Sequence, residues 1–424
     1  MASARPPRWS KLDNAAKIFP STSNRVDTKV FRFACRLREQ VEPEALQRAL
    51  DKTMAQFPFY RCILKKGLFW YYFEDSLHPA LVGPEALPLC APLYNANRKG
   101  LLFRVFYHGE RISLEVYHAL SDGTGALHFL RTLVHYYLLE AHGEEFGDSP
   151  PALDYDASQS QKSDDSFSKY FHRGKHAQKS DAPKAYHLWG DRLPDDRLGL
   201  IEGRMPVRAL LDLAHRYHAT LTEFLMAVLI QAIHQGMPLR DQGRPVVLTV
   251  PVNLRNYFPS DSARNFFGVV NVGYDFSQQE DSLEAIIAHI REVFARSLTA
   301  DQLGERMNRL SALEHTLAMK LIPLPCKDPI LRIANRLNER EITAAFSNVG
   351  RITMPPELAP YIRYFTICAS TRRLQACMCS FQGDFVISFT SHFVSTDVQR
   401  RFFRALTALG VEVEITSNLE QAVQ

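Results

Sequence analysis

The sequence predicts a mixed α/β protein with two domains. Its 424 residues are more than one ordinary hydrophobic core accommodates. Apolar residues alternate with polar ones in some segments and recur at helical spacing in others, which predicts strands and helices in the same chain. A polar stretch separates the two halves. We therefore expect an N-terminal domain over 1–147, a linker over 148–185 and a C-terminal domain over 186–424.

The first half alternates strand and helix patterns. Apolar residues alternate from Lys29 to Leu37, as in a strand, and a helical pattern then begins at Pro43 and ends before Pro58. Two hairpins are predicted next, turning at 65–67 and at 108–110. Their expected strands are Phe59–Leu64 with Leu68–Phe73, and Leu101–Tyr107 with Arg111–Tyr117.

The second half begins with helices and continues with strands. Thr220 and Glu223 form a capping-box pattern, and the apolar run Phe224–Ile233 after them predicts a helix buried on most sides. The β-branched run after Pro245 is typical of an interior strand. Residues 305–340 look helical, with breaks expected at Pro323, Pro325 and Pro329. The remaining patterns predict strands over 266–272, 344–352, 361–369, 374–381 and 385–391, and helices over 207–217, 282–296 and 397–409.

Composition excludes several classes of protein. A net charge of +4 is small for this length and gives no electrostatic case for nucleic-acid binding. Seven scattered cysteines indicate a reduced, cytoplasmic chain without a disulfide framework, and the Cys377–Cys379 pair has no second pair to complete a metal site. The start lacks the apolar run of a signal peptide. The longest apolar run, Phe224–Ile233, is too short to span a bilayer, which takes about 20 residues.

The stretch from Glu115 to Gly125 is the main candidate site. It reads as a strand end, a tight Asp-Gly turn and a helix start, and it places His118 at the rim of a sheet. A histidine held there by one ring nitrogen can use the other as a general base toward a hydroxyl, thiol or amine. The alternative is a half-buried histidine that only closes the turn.

Asp122 lies four residues after His118 and has two interpretations. It either orients the imidazole, or it fixes the turn while its charge is neutralised elsewhere. A buried carboxylate needs a cationic partner. Arg255 follows the predicted interior strand, where most of its neighbours are apolar or neutral. We therefore favour a structural Asp122–Arg255 pair that joins the two domains beside the base.

Three further features carry weaker signals. His392 follows a strand and precedes a turn and a helix, like His118, but we interpret it as a packed strand-end histidine. Ser347 and Asn348 end a strand and offer donors that a developing oxyanion requires, although an ordinary turn is slightly favoured. The amphipathic stretch 321–337 suits a lid or a membrane-surface helix, and more often such a stretch packs on its own domain.

Several stretches together resemble the CoA-dependent acyltransferase superfamily with the chloramphenicol acetyltransferase fold. His118-Ala119-Leu120-Ser121-Asp122-Gly123 fits its His-x-x-x-Asp-Gly motif, and Pro251-Val252-Asn253-Leu254-Arg255 is similar to its Pro-Val-(Asp/Asn)-Leu-Arg. Similar helix-start and turn segments occur at 220–227, 265–268 and 346–350. Tyr117 stands where condensation domains carry a second histidine, and the Asp-Phe-Gly-Trp-Gly motif of plant BAHD enzymes is absent. Both departures favour the bacterial alcohol acyltransferase-like group.

The resemblance implies two similar subdomains, each a mixed sheet with flanking helices, and an active-site tunnel between them. His118 would deprotonate an alcohol acceptor that attacks an acyl-CoA thioester, with Asp122, Gly123 and Arg255 structural. No bound cofactor or metal is expected, and coenzyme A enters as a co-substrate. An acyl carrier protein as donor, with amide or ester formation, and a non-catalytic binding protein of the same fold remain the alternatives. A monomer suffices for such a tunnel.

Overall fold

The computed structural model describes residues 9–147, 150–154, 170, 184–315 and 321–419. Most of the predicted linker, 148–185, lies outside the described residues. Two large β-sheets organise the rest, each with its own hydrophobic core. The mixed α/β architecture predicted from the sequence is therefore confirmed.

Within the described residues, both halves of the chain contain strands as well as helices. The strands are β1 Trp9–Lys11, β2 Val30–Leu37, β3 Cys62–Lys66, β4 Tyr71–Asp75, β5 Val82–Pro84, β6 Phe103–His108, β7 Arg111–Tyr117, β8 Gly199–Pro206, β9 Val246–Asn253, β10 Phe267–Tyr274, β11 Ala344–Arg351, β12 Ile362–Ala369, β13 Leu374–Phe381, β14 Asp384–Ser391 and β15 Glu414–Ser417. The helices are α1 Phe19–Thr22, α2 Pro43–Gln56, α3 Gly123–Phe146, α4 Val207–Arg216, α5 Leu221–His234, α6 Leu283–Ser297, α7 Ala300–His315, α8 Leu324–Asn338 and α9 Asp397–Ala408.

The first sheet has the strand order β12-β2-β7-β6-β5, and the second has the order β10-β9-β11-β13-β14-β8-β15. A small third sheet, β1-β4-β3, lies beside them. Strand β12 comes from the second half of the chain but pairs antiparallel with β2 of the first sheet. Its successor β13 returns to the second sheet. Between β11 and β13 the chain therefore crosses to the first sheet and back, and this excursion ties the two halves together.

Local sequence signals account for most element boundaries. The Thr220 hydroxyl accepts a hydrogen bond from the Glu223 backbone N–H, and the Glu223 carboxylate accepts one from the Thr220 backbone N–H. This capping box starts α5, whose apolar run is buried. Strand β9 lies between β10 and β11, which explains its continuous β-branched run. Within the described ranges, no helix combines the length and hydropathy needed to cross a bilayer.

Two expectations about local structure were wrong. Residues 58–60 form a 3-10 turn, so the first hairpin is built from β3 and β4 and turns over 67–70. Pro329 does not break a helix but lies inside α8. Its missing N–H would have bonded the carbonyl of Pro325, and both prolines are exposed, so water can replace that donor.

Candidate active site

His118 lies directly after β7, where the backbone N–H of His118 donates to the carbonyl of Lys29 at 2.8 Å. Three aromatic rings contact the half-buried imidazole. The centroid of Phe19 lies 4.6 Å from the imidazole centroid, that of Phe31 lies 5.2 Å away and that of Phe267 lies 5.3 Å away. These rings come from α1, β2 and β10, so elements of both halves enclose the histidine.

Asn265 fixes the orientation and tautomer of this imidazole. The Asn265 amide nitrogen donates to the Asp13 carboxylate at 3.2 Å and to the Ala119 carbonyl at 3.4 Å. Because both of those partners only accept, the Asn265 Oδ1 must be the atom 3.1 Å from His118 Nδ1. A carbonyl oxygen requires a donor, so Nδ1 carries the proton. The neutral ring therefore presents an unprotonated Nε2.

The surroundings of His118 favour this neutral form. Burial lowers the pKa of His118 below its ordinary value of 6.5. A hydrogen bond to its own carbonyl, the charge of Asp122 and the hydrogen bond to Asn265 each act in the opposite direction, but burial outweighs them. The imidazole is therefore neutral at pH 7, as a general base must be before it accepts a proton.

The Asp122 carboxylate makes its hydrogen bonds with partners other than His118. It is the N-cap of α3, and its Oδ1 accepts from the Gly125 backbone N–H at 2.9 Å. Its Oδ2 accepts from Arg255 Nη1 at 2.8 Å and from the Phe266 backbone N–H at 2.8 Å. The carboxylate and the guanidinium are both buried. The geometry is that of an electrostatic anchor rather than of a carboxylate that orients the imidazole.

Arg255 organises the loop that leads into β10. Its Nε and Nη2 both donate to the Ser262 carbonyl, at 3.0 and 2.7 Å. Its Nη2 also donates to the Arg264 carbonyl at 2.6 Å, and Nη1 to the Phe266 carbonyl at 3.3 Å. One guanidinium thus binds three carbonyls of a five-residue segment as well as the Asp122 carboxylate, which suits the planar fork of arginine.

That segment, residues 262–266, carries Asn265. The contacts form a continuous chain in which Asp122 holds Arg255, Arg255 holds the loop, and Asn265 of the loop holds His118. A carboxylate that does not touch the imidazole therefore still determines where the imidazole lies. This gives a physical reason for the spacing of His118 and Asp122.

The turn after His118 packs closely against the same segment. The Ser121 hydroxyl donates to the Ala263 carbonyl at 2.5 Å. A Cβ added at Gly125 would lie 1.9 Å from the Ala263 carbonyl oxygen, so only glycine fits there. A Cβ added at Gly123, the glycine singled out in the sequence, would meet no atom within 4 Å. Close approach of backbone to backbone therefore requires Gly125, whereas the space beside Gly123 is open.

We expect Gly125→Ala to lower the free energy of unfolding by about 3 kcal/mol, because the loop must move to admit the methyl group. The matched control is Gly123→Ala, for which we expect a change within about 0.5 kcal/mol. Denaturant titration followed by circular dichroism measures both. Equal stability of the two variants would contradict the packing described between Gly125 and Ala263.

The structure places the other residues singled out in the sequence as follows. His392 is buried, and each of its ring nitrogens lies 2.7 Å from a carbonyl oxygen, that of Arg197 or of Val26. Asn348 donates to the Thr222 hydroxyl at 2.9 Å, at the start of α5. Ser347 is half-buried in β11. His392 thus links two segments of the fold and leaves neither nitrogen for chemistry.

Sequence reasoning did not identify two of the functional candidates. Asp13 is buried, accepts from Asn265 and from the Ala16 backbone N–H, and lies 3.7 Å from Arg264 Nε. Asn265 is buried between Asp13 and His118. The only sequence signal for either was the resemblance of 265–268 to a turn of the superfamily. Among the described residues, no group of histidine, cysteine and acidic side chains could hold a metal ion.

Comparison with known proteins rests on structure. No protein-family model matches the sequence, and no curated protein matches it either. TRI3 trichothecene 15-O-acetyltransferase from Fusarium sporotrichioides is similar over 96% of both chains, with a TM-score of 0.62 and 11% identity. TRI101 from F. sporotrichioides, solved with coenzyme A and T-2, matches 95% of this chain and 98% of its own, with a TM-score of 0.62 and 12% identity.

A third neighbour is the first condensation domain of the CDA synthetase. It matches 96% of this chain and 97% of its own, with a TM-score of 0.57 and 13% identity. All three likenesses extend over nearly the whole length of both chains, which a shared supersecondary motif alone would not produce. The protein has the chloramphenicol acetyltransferase-like fold that these acyltransferases and condensation domains share.

Proposed function

We propose that the protein is an acyltransferase that moves an acyl group from a coenzyme A thioester to the hydroxyl of a small or lipid-like alcohol. The observation that carries the proposal is the neutral His118, whose Nδ1 is held by Asn265 and whose Nε2 is unprotonated. The structural neighbours support it, since one is named a 15-O-acetyltransferase and another was solved with coenzyme A.

The proposed reaction needs one base and no covalent enzyme intermediate. His118 Nε2 takes the proton of the acceptor hydroxyl as its oxygen attacks the thioester carbonyl carbon. The tetrahedral oxyanion then collapses, the C–S bond breaks, and the sulfur leaves and takes the proton from the imidazolium. The products are an ester and a free thiol, and His118 is neutral again. A thioester is already activated, so no acyl-enzyme is required.

Several site residues position the base. Asp122 and Arg255 hold the loop that carries Asn265, and the three aromatic rings limit water around the imidazole.

Ser347 and Asn348 are our candidates for contacts to the oxyanion or the substrate. The Asn348 side chain is already engaged, because its Oδ1 accepts from the Gly350 N–H and its Nδ2 donates to Thr222. Ser347 is therefore the first of the two to vary.

One departure from relatives refines the proposal. Tyr117 stands before the base, and its hydroxyl lies 2.9 Å from the Ser23 hydroxyl while its ring stacks on Tyr94. This buried tyrosine has its own packing role where condensation domains have a histidine. This difference supports our proposal that the protein belongs with the bacterial alcohol acyltransferase-like group.

The test is a panel of acyl-CoAs of increasing chain length with simple and long-chain alcohols, followed by release of thiol with a chromogenic disulfide. We expect ester and thiol in equal amounts. Thiol release that requires a carrier-protein-bound donor would favour the alternative, condensation-type chemistry, which the likeness to the CDA synthetase domain supports. Tight binding of acyl-CoA without any thiol release would indicate a non-catalytic binding protein instead.

Asn265→Ala should lower kcat by about 100-fold, since the imidazole loses the side-chain hydrogen bond that holds its orientation. In the wild type, kcat/KM should decline only below pH 6.5, because the pKa of His118 is lowered and the neutral base persists into mild acid. Asn265 raises that pKa, so the acid limb of Asn265→Ala should lie at still lower pH. Pre-steady-state and steady-state pH profiles measure this. An unchanged acid limb together with lower kcat would mean that Asn265 acts only on folding.

A further inference from the structure

The outward face of α8 is unusually apolar for an exposed helix. Ile330, Ile333 and Leu337 expose 47%, 59% and 52% of their surface, and Leu321 just before the helix exposes 69%. Their spacing of three and four residues places the three helical residues on one side. A contiguous exposed apolar surface of this kind marks a contact with another partner.

The opposite face of α8 is packed against the first half of the chain, so the helix is held in one orientation. Leu324, Lys327 and Asp328 are buried. Lys327 Nζ donates to the Phe69 carbonyl at 2.8 Å, and Asp328 accepts from the hydroxyls of Ser21 and Tyr71 at 2.7 and 3.0 Å. These contacts fix the rotation of the helix, and with it the direction in which the apolar side points.

Charge distinguishes this surface from an ordinary protein interface. Between 321 and 338 the only carboxylate is Asp328, which is buried. Arg332 and Arg336 are exposed and lie four residues apart on one flank of the apolar stripe. The exposed surface of the helix is therefore apolar along its centre and cationic along one side. This is the pattern of helices that lie in the interface of anionic bilayers.

The apolar surface continues onto the hairpin between β3 and β4. The backbone N–H of Leu324 donates to the Leu68 carbonyl at 2.8 Å, so the tip of the hairpin adjoins the start of α8. Leu68 and Phe69 at that tip expose 68% and 38% of their surface. Two separate elements thus present apolar side chains side by side.

This surface lies close to the base. Arg332 Nε donates to the Ser21 carbonyl at 2.9 Å, which places α8 directly against α1. Phe19 of α1 contacts the His118 ring. Only one short helix therefore separates α8 from the imidazole.

We propose that the outer face of α8, together with the tip of the β3–β4 hairpin, docks on an anionic phospholipid bilayer. A second copy of the chain is the less suitable occupant, since in a symmetric contact the cationic flanks would meet without exposed carboxylates of α8 to neutralise them. Docking there would bring membrane-dissolved alcohols next to the site. That consequence, a lipid-like acceptor, rests on the proposed function, whereas the docking itself does not.

Vesicle sedimentation tests the proposal with the full chain. Wild type should bind vesicles of phosphatidylcholine with 30 mol% phosphatidylglycerol more tightly than pure phosphatidylcholine vesicles. Ile333→Ser/Leu337→Ser should weaken binding about tenfold or more, through loss of buried apolar surface. Arg336→Gln should weaken it about fivefold and only on the anionic vesicles. The matched control is Leu77→Ser/Leu239→Ser, which removes two even more exposed leucines elsewhere and should bind like wild type.

Three results would overturn the proposal. The first is that wild type does not sediment with anionic vesicles. The second is that the α8 and control variants bind equally well. The third is that Ile333→Ser/Leu337→Ser abolishes a concentration-dependent dimer seen by analytical ultracentrifugation and leaves vesicle binding intact. His118→Ala should bind vesicles like wild type, so failure of docking and failure of the proposed chemistry are distinguished.

Discussion

His118→Ala should lower kcat for acyl transfer about 10³-fold while acyl-CoA binding and melting temperature stay close to those of wild type. A general base contributes roughly 10²–10⁴-fold, and the Nε2 of this histidine is the one we assign to the acceptor proton. The variant removes a half-buried ring that makes a side-chain hydrogen bond to Asn265, so the structural loss is small beside the chemical one. Thiol release and calorimetric acyl-CoA titration measure the two quantities.

The chain offers a matched control in His392, which has the same order of strand, histidine, turn and helix. His392→Gln should lower the melting temperature, because the contacts of its ring nitrogens with the carbonyls of Arg197 and Val26 are disturbed. Its kcat per folded molecule should stay at the wild-type value. If His118→Ala turns over at the wild-type rate, or if His392→Gln loses activity while folded, the assignment of the base is wrong.

Arg255→Ala should lower the free energy of unfolding by about 4 kcal/mol, since removing one partner of a buried ion pair leaves the other charge without compensation. The Asp122 carboxylate would remain buried, and the carbonyls of 262–266 would lose their shared donor. Activity should also decrease, because Asn265 belongs to that loop. Arg255→Lys keeps the charge but not the planar fork, so we expect only partial recovery.

Arg204→Ala is the control, because Arg204 also forms ion pairs but lies at an exposed site. Arg204 pairs with Asp384 and Glu414, but its side chain is 39% exposed and that of Arg255 is 9% exposed. We expect a loss of about 1 kcal/mol or less, since solvent screens exposed pairs. Urea titrations of the variants, with Asp122→Ala/Arg255→Ala to complete a double-mutant cycle, measure the coupling. An equal effect of Arg255→Ala and Arg204→Ala would refute the buried anchor.

Local patterns predicted most of the fold. The alternation of Ile112, Leu114 and Val116 gave β7, and the capping box at Thr220 gave α5. The assignment of strands to sheets was beyond the same reasoning. Strand β12 has the pattern of any strand, and only its pairing with β2, more than 300 residues earlier in the chain, reveals that it completes the first sheet. Hydrogen-bond partners at such separation leave no periodic signal.

Contacts between distant parts of the sequence also limited the prediction of the site residues. His118 stood out through its strand-end position, and Arg255 was found because a buried carboxylate requires a cation. The structure places that arginine 2.8 Å from Asp122. Asn265 and Asp13 are 252 residues apart in the sequence. The Asn265 amide is neutral, so it requires no partner of opposite charge that could be sought in the sequence. Its role is seen only in the folded structure.

At Pro329, tertiary contacts override the tendency of proline to end a helix. Proline inside a helix removes a hydrogen bond and commonly ends it. Here α8 continues because the contacts of Lys327 and Asp328 with the first half of the chain hold its first turns in place. Burial and hydrogen bonding of one face thus outweigh the local preference, in a helix whose other face we propose to be functional.

The most direct test of the account is the protonation of His118 at pH 7, measured by ¹⁵N NMR of protein labelled at its histidine side chains. The signals of this residue are assigned by their loss in His118→Ala. We predict a neutral ring with the proton on Nδ1 and an unprotonated Nε2. A doubly protonated ring at pH 7, or a proton on Nε2 in the wild type, would contradict the claim that His118 stands ready as the general base.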